Sequence, residues 1–506
     1  MKFYKRFFYL SLAFILFIYL FIGIFFYLGY SKKFIDKSAV IAKTTNNISA
    51  FLENQGLYKF YNFNISFFSK KKANFLLHYS KNDYKEMDSV LALIKSGKIK
   101  ILEDRYKKYR KIGVLENKNE INAKIKFHGS SIAPYRNGFE SYTIKSKYSI
   151  NGYKYFKLIT GVEMNYFNVF LNSNASFFNL YSEDSGDIVV TNLNGKLTDF
   201  FQYSVFDENY IKRTFNIENP VIIRRRTFNE NISGKWHSSN LDNTPYNIDS
   251  KNLLNSDFKI WETFNKNPQP DQYDPEYIGS FMALLQLFGH SHQIIGNNDK
   301  WILSQGKMFP VYRNEGSILP ITVQGLTDNN IFDSYYYSSS LENYKNFLSS
   351  DKVIYYRNQT FKKIIDNRYN VINSLDSIYN KYKNTHSTFS NNYLKIKYGF
   401  SYNKRTLINN IKSVEGFLNS GYTLIYFDGS KLKIKSTRVN KLEIIINDKK
   451  HEFFPTSYKL EGKTLVNEND ELLINNINNI SSLVIKDLTL NKTLQIEKDY
   501  SILFIN

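Results

Sequence analysis

Between His290 and Gly316 the chain gathers residues that could manage a proton, a metal ion and a phosphate. His290 and His292 lie two positions apart, Asn298 follows, and Asn314 and Glu315 close the segment. A histidine can accept a proton near neutral pH. Amide and carboxylate oxygens are the ligands that hard divalent cations prefer. As a metal pair the two histidines lack an evident third ligand, and a pair that orders the loop by bonding backbone groups is the plainer reading. A loop with a proton acceptor and an Asn, followed by a hairpin that delivers a second metal ligand, is the order used for kinase-type phosphoryl transfer.

The elements around these residues are well signalled. Asp274 is a good N-cap, and Pro275 suits the first helical position. Ile278, Phe281, Met282, Leu285 and Phe288 form an apolar stripe, and Gly289 can end the helix. After the polar loop, Ile302-Leu303, a Gln305-Gly306 turn and Met308–Tyr312 predict a short hairpin. Upstream, Val221–Ile223 leads into Arg224, Arg225 and Arg226, a run that could grip phosphate bidentately or simply end a strand in solvent.

The chain has 506 residues, too many for one ordinary core, which predicts two or three domains. Lys+Arg 67 against Asp+Glu 46 gives a net charge of +21, which by itself points first to nucleic acid and leaves open another anionic partner, a phosphate, an acidic glycan or a lipid headgroup. The basic residues are scattered rather than clustered, and the abundance of Lys, Asn, Tyr, Phe and Ile also fits an AT-rich coding sequence. There is no Cys, so disulfides, Cys-ligated zinc and a thiol nucleophile are excluded. The stretch 7–30 carries no charge and would extend about 36 Å as a helix, enough to span a bilayer. It lacks a small-residue cleavage site, so an uncleaved signal-anchor is expected. Lys2, Lys5 and Arg6 favour a cytoplasmic N-terminus, with the bulk of the chain beyond the cell membrane.

The pattern divides the chain into a cytoplasmic stub and anchor (1–30), a stalk (31–62), a mixed α+β region (63–421) and a C-terminal all-β module (422–506). Within the mixed region, Lys81–Ser96 predicts a helix stopped by Gly97, and Ala123–Phe127 and Ser141–Lys145 alternate like half-buried strands. Asn194-Gly195 marks a hairpin. Residues 229–273 look like a long polar surface excursion, 341–385 and 404–419 helical. After Gly421 short alternating strands take over, at 424–427, 431–435, 442–446, 472–474 and 483–485, the pattern of a small separable β-sandwich. Gly462-Lys463-Thr464 is no P-loop, because Ser457 stands where its first Gly belongs. No Gly-x-Ser-x-Gly or His-Glu-x-x-His occurs.

Taken in order, Ala123–Gly129, Ser141–Lys145, Asn194-Gly195-Lys196, Phe281–Gly289, His292, Asn298, Lys300 and Pro310-Val311-Tyr312 resemble CotH-type (spore coat protein H) kinase-like proteins, above all the membrane-anchored envelope members. The resemblance covers about 65–420. It implies an atypical protein-kinase-like domain and ATP- and metal-dependent phosphoryl transfer to a protein or glycan hydroxyl, with Mg or Mn. By analogy Lys145, with Arg224 and Arg226, would meet phosphates. His292 would orient or accept the proton of the attacking hydroxyl, and Asn298 with Asn314 or Glu315 would hold the metal. The chain departs from the family pattern in three places. Asn314 then Glu315 stand where a metal-binding Asp is usual, Ser204 and Val205 where some members carry Glu, and His292 where many have Asp.

The expectation is therefore a single-pass envelope protein, either an active phosphotransferase or a pseudokinase. The rival expectation is a non-catalytic envelope scaffold that binds acidic polysaccharide or another envelope protein. Nucleic acid is the least expected partner, since the anchor places the body out of its reach.

Overall fold

The computed structural model describes residues 9–14, 17, 73–99, 102–129, 140–159, 162–193, 196–225, 246–248, 255–266, 268–289, 299–313, 318–327, 344, 346–383, 391–461, 464–469, 471–477, 479–495 and 500–504. The chain forms two compact units, residues 1–68 with 389–391, and residues 69–388 with 392–506. In the first, residues 9–14 and 17 are helical, and Tyr9, Leu10, Leu12, Phe14 and Phe17 are exposed. Among the described residues no helix is long and apolar enough to cross a membrane; most of the predicted anchor lies outside them.

The larger unit is mixed α/β. It begins with a closed seven-stranded barrel: β1 (Phe75–Tyr79), β2 (Arg110–Glu116), β3 (Asn119–Phe127), β4 (Tyr142–Ile150), β5 (Tyr153–Ile159), β6 (Asp187–Leu193) and β7 (Lys196–Ser204), in the order β1-β2-β3-β4-β5-β7-β6. Neighbours are antiparallel except at the closure, where β1 runs parallel to β6 with Phe75 opposite Thr191. Alternation places Ile112 and Val114, Ala123, Ile125 and Phe127, and Phe156 and Leu158 in one buried core. Helix α1 (Lys81–Lys95) adds Met87, Val90 and Ile94 to that core. The Ser80 hydroxyl caps it by accepting from the Asp83 amide, and Gly97 follows at φ 77°. The Asn194-Gly195 expectation holds, since Leu193 pairs with Lys196 across it.

A second core surrounds α5 (Pro275–Phe288), after α2 (Val162–Phe177), α3 (Glu208–Phe215) and α4 (Asn255–Lys266). Asp274 caps α5 through the Glu276 and Tyr277 amides, and Gly289 ends it in the left-handed region. Every residue from Ile278 to Phe288 is buried. Close by is a four-stranded sheet in the order β11-β10-β8-β9, made of β8 (Val221–Arg225), β9 (Tyr246–Ile248), β10 (Lys300–Ser304) and β11 (Lys307–Pro310). The segment expected to be surface excursion instead contains α4, with Trp261 and Phe264 in the core. Its apolar residues sit at helical spacing, but Asn, Lys and Glu fill the other faces. Helices α6 (Val323–Thr327), α7 (Asp351–Asp366), α8 (Arg368–Lys383) and α9 (Asn391–Leu418) follow. The 341–385 stretch is thus broken at Asn367, and the 404–419 helix starts earlier than its periodicity suggested.

The region after Gly421 is a β-sandwich. One sheet is ordered β18-β13-β12-β21 and the other β15-β14-β19-β20. Its strands are β12 (Thr423–Phe427), β13 (Lys431–Ser436), β14 (Leu442–Ile446), β15 (Lys449–Phe453), β18 (Glu471–Asn475), β19 (Leu483–Asp487), β20 (Lys492–Thr493) and β21 (Tyr500–Phe504), with a side hairpin of β16 (Ser457–Glu461) and β17 (Thr464–Asn469). Ile425, Leu432 and Ile434 of one sheet share a core with Leu442, Ile444 and Ile485 of the other. The sandwich is also bonded to the helices. Asn358 Nδ2 donates to the Val439 carbonyl at 2.8 Å, Asn440 Nδ2 to the Leu418 carbonyl at 2.7 Å, and the Val439 side chain joins the helical core.

Candidate functional site

The outward side of the barrel carries basic and aromatic residues in register. Lys124 lies opposite Lys145, and Lys145 opposite Tyr155. One row over, Lys126, Thr143, Lys157 and Tyr203 face one another across β3, β4, β5 and β7. The Lys145 ammonium lies 5.7 Å from the Tyr155 ring centroid, and that of Lys157 lies 5.1 Å from Tyr203. Such contacts steady a flexible lysine without neutralising it. Thr143 is buried and lies 3.0 Å from Nδ1 of His128, the residue that leaves β3.

Glu183 is the centre of the site. It follows α2, and the Asn172 amide holds its carbonyl at 2.6 Å. An isolated parallel bridge joins Ser182 to Tyr312. The Glu183 amide donates to the Tyr312 carbonyl and the Tyr312 amide to the Tyr181 carbonyl. That pairing sets Arg313 beside Glu183, with Nε 3.9 Å from the carboxylate. Lys300, the first residue of β10, closes an ion pair with Glu183, and their side chains are only 7% and 6% exposed. Next to this pair, Asp184 accepts from the Ser204 and Gly186 amides. Gly186 is required there: its φ is 67°, and a Cβ would lie 2.5 Å from the Gln202 carbonyl oxygen.

The electrostatics follow from this geometry. Burial pushes the Glu183 carboxyl up, but Lys300, Arg313 and Lys157 outweigh it and hold it well below the usual carboxylate range. Burial, then Lys157 and Arg313, hold His128 well below its ordinary value; Lys126 acts the same way and Glu183 opposes. His128 is therefore neutral at neutral pH. Burial first, then Glu183, raises the Tyr203 hydroxyl. Barrel and second sheet thus bring His128, Lys157, Arg313 and Lys300 around one ionised carboxylate. Chemically, such a cluster can bind an anion, with Arg313 as a planar fork and Lys157 as a point charge.

Of the residues singled out from sequence, Lys145 stands exposed on this face. Arg224 lies in β8 with its backbone opposite Lys300. His292, Asn298, Asn314, Glu315 and Arg226 lie outside the described residues. Asp299, adjacent to Asn298, is buried and accepts from the Tyr344 hydroxyl at 3.0 Å. Among the described residues no group of three His, Asp or Glu could hold a metal ion. Sequence reasoning missed Glu183, Lys157 and His128. Glu183-Asp184 did carry a signal, two adjacent carboxylates just after an apolar helix. No family model and no curated protein matches the chain.

Proposed function

We propose that the chain is a membrane-anchored envelope protein whose 63–421 region is a CotH-like, kinase-type domain that binds nucleotide phosphates on the basic face at Lys157 and Arg313. The observation that carries this reading is the buried Glu183–Lys300 pair, flanked by Arg313, Lys157 and His128. Kinase-type sites use a Lys–Glu ion pair beside the phosphates. Here Lys300 makes that pair, a residue to which the sequence assigned no such role. Lys145 sits one row away on the same face, where it can extend contact along a polyphosphate. A bound Mg or Mn ion would neutralise charge between phosphates. Asn298 with Asn314 or Glu315 would hold it, and His292 would orient the acceptor hydroxyl. The anchor reading rests on the uncharged stretch 7–30 and on Tyr9, Leu10, Leu12 and Phe14, exposed on the helical residues 9–14, apolar surface that lipid would cover favourably.

The test is a thermal shift of the full chain with ATP or ADP, with and without Mg²⁺ or Mn²⁺, on wild type and Lys157→Gln. Stabilisation of wild type that the variant loses supports the reading. No shift with any nucleotide at millimolar concentration overturns it. Phosphoryl transfer by wild type that Glu315→Gln abolishes would mark an enzyme. Binding without transfer, strengthened by Asn314→Asp, would mark a pseudokinase, because a neutral amide balances a cation less well than a carboxylate does.

A further inference from the structure

We infer that the outer face of the sheet β18-β13-β12-β21 binds a strand of acidic polysaccharide. This inference is independent of the nucleotide reading, because it rests on the other end of the larger unit's sequence. Strand β13 alternates between Leu432, Ile434 and Ser436, which are buried, and Lys431, Lys433 and Lys435, which face out. Same-face residues on a strand are spaced by about 6.8 Å, so the three ammonium groups form a row along the sheet. Tyr426 of β12 and Leu473 of β18 lie opposite Lys433 on its two sides. Together with Asp428 these residues line a groove of about 370 Å³.

The carboxylates of the groove are already engaged. Asp428 accepts from the Ser430 and Lys431 amides and the Ser430 hydroxyl, which closes the β12–β13 turn. Glu471 lies 2.7 Å from Lys433 and 4.0 Å from Lys435. Among the described residues, three lysines stand against two carboxylates there, in a chain of net charge +21. Lys431 stands at the open end of the row.

Sugar chemistry fits this surface better than the alternatives. Tyr426 offers a flat apolar ring with a polar rim, on which the C–H face of a sugar can stack. Lysines donate and Glu471 accepts, so hydroxyls and carboxylates can both be met. The apolar part is one ring and one leucine (Leu473 is 53% exposed), too little for the core of a stable protein interface or for membrane insertion. Positive charge along an extended row selects an acidic polymer over a neutral one.

The experiment is retention of the full chain on immobilised polygalacturonate, with soluble polygalacturonate, dextran or polyglutamate as competitor. The expected result is retention released by soluble polygalacturonate and by salt, but not by dextran or by polyglutamate at equal charge. Tyr426→Ala and Lys431→Gln/Lys433→Gln should each weaken binding about tenfold, the scale of losing one anchor contact, with unchanged melting temperature. Lys157→Gln should leave it intact, which separates this site from the nucleotide face. No retention, undiminished retention of both variants, or equal displacement by dextran or polyglutamate would each overturn the proposal.

Discussion

Glu183 and Lys300, 117 positions apart, neutralise each other in the interior. Lys300 is the strongest attraction on Glu183, and both side chains are buried, so removing one strands a buried charge. Glu183→Gln should cost about 3–5 kcal/mol, and the double variant Glu183→Gln/Lys300→Met should recover much of that loss. Urea unfolding of both variants measures this. A single variant within 1 kcal/mol of wild type, the spread of ordinary surface pairs, would mean that the pair is open to water.

Acid should expose His128 before it exposes Glu183. The folded value of His128 lies below the ordinary 6.5, so the unfolded chain takes the proton first. Its contribution is intact above pH 6.5 and is lost as pH falls below that. Glu183, also depressed, adds its loss only as pH falls below its ordinary 4.5. Melting temperatures between pH 7.5 and 5 in steps of about half a unit should decline in wild type and flatten in His128→Gln. Equal slopes would show that Lys157, Arg313 and Lys126 do not hold His128 neutral.

Gly279 lets α5 approach α7 backbone to backbone. A Cβ there would lie 2.7 Å from the Arg357 nitrogen and 2.8 Å from the Val353 carbonyl oxygen. Neither atom can move without its helix. Gly279→Ala should therefore destabilise by about 1–3 kcal/mol or more, despite alanine's better helix propensity. A melting temperature at or above wild type would show that the helices can separate freely.

The β-sandwich should stay attached after the chain is cut. Protease cleavage near residues 419–422 leaves the sandwich core whole, but Asn358 still donates to Val439. The fragments of wild type should co-elute on size exclusion. Those of Asn358→Ala, which leaves a buried carbonyl without that donor, should separate. Separation of the wild-type fragments would show that the sandwich is bound more weakly than its buried polar contacts imply.

What could be read from sequence was what local chemistry decides. Helix α5 carries its own start and stop in Asp274, Pro275 and Gly289. The β10–β11 hairpin is set by Gln305 and Gly306 at φ 51° and 77°. The sandwich strands 424–427 and 442–446 announce themselves by alternation. The barrel does not, because its closure depends on Phe75 meeting Thr191, and nothing near either residue encodes that. The ion pair was hidden for the same reason. Lys300 was visible as part of a polar block, but its partner follows a different helix. Helix α4 was obscured by its polar faces, with Ile260, Trp261 and Phe264 on the buried side between Asn, Lys and Glu.

The parallel seam between β1 and β6 also dictates an order of assembly. The hairpins β2–β3, β4–β5 and β6–β7 can each form from neighbouring residues. β1 can pair early with β2, but its other edge has no partner until β6 has been made and brought round. Such long-range closure is slow because chain entropy is lost before the contact rewards it. Until then the row Phe75–Leu77 presents an unpaired apolar edge, the kind that recruits other chains. The last step of barrel formation is thus the interval in which a newly made chain is most open to aggregation, and the one in which a chaperone would matter most.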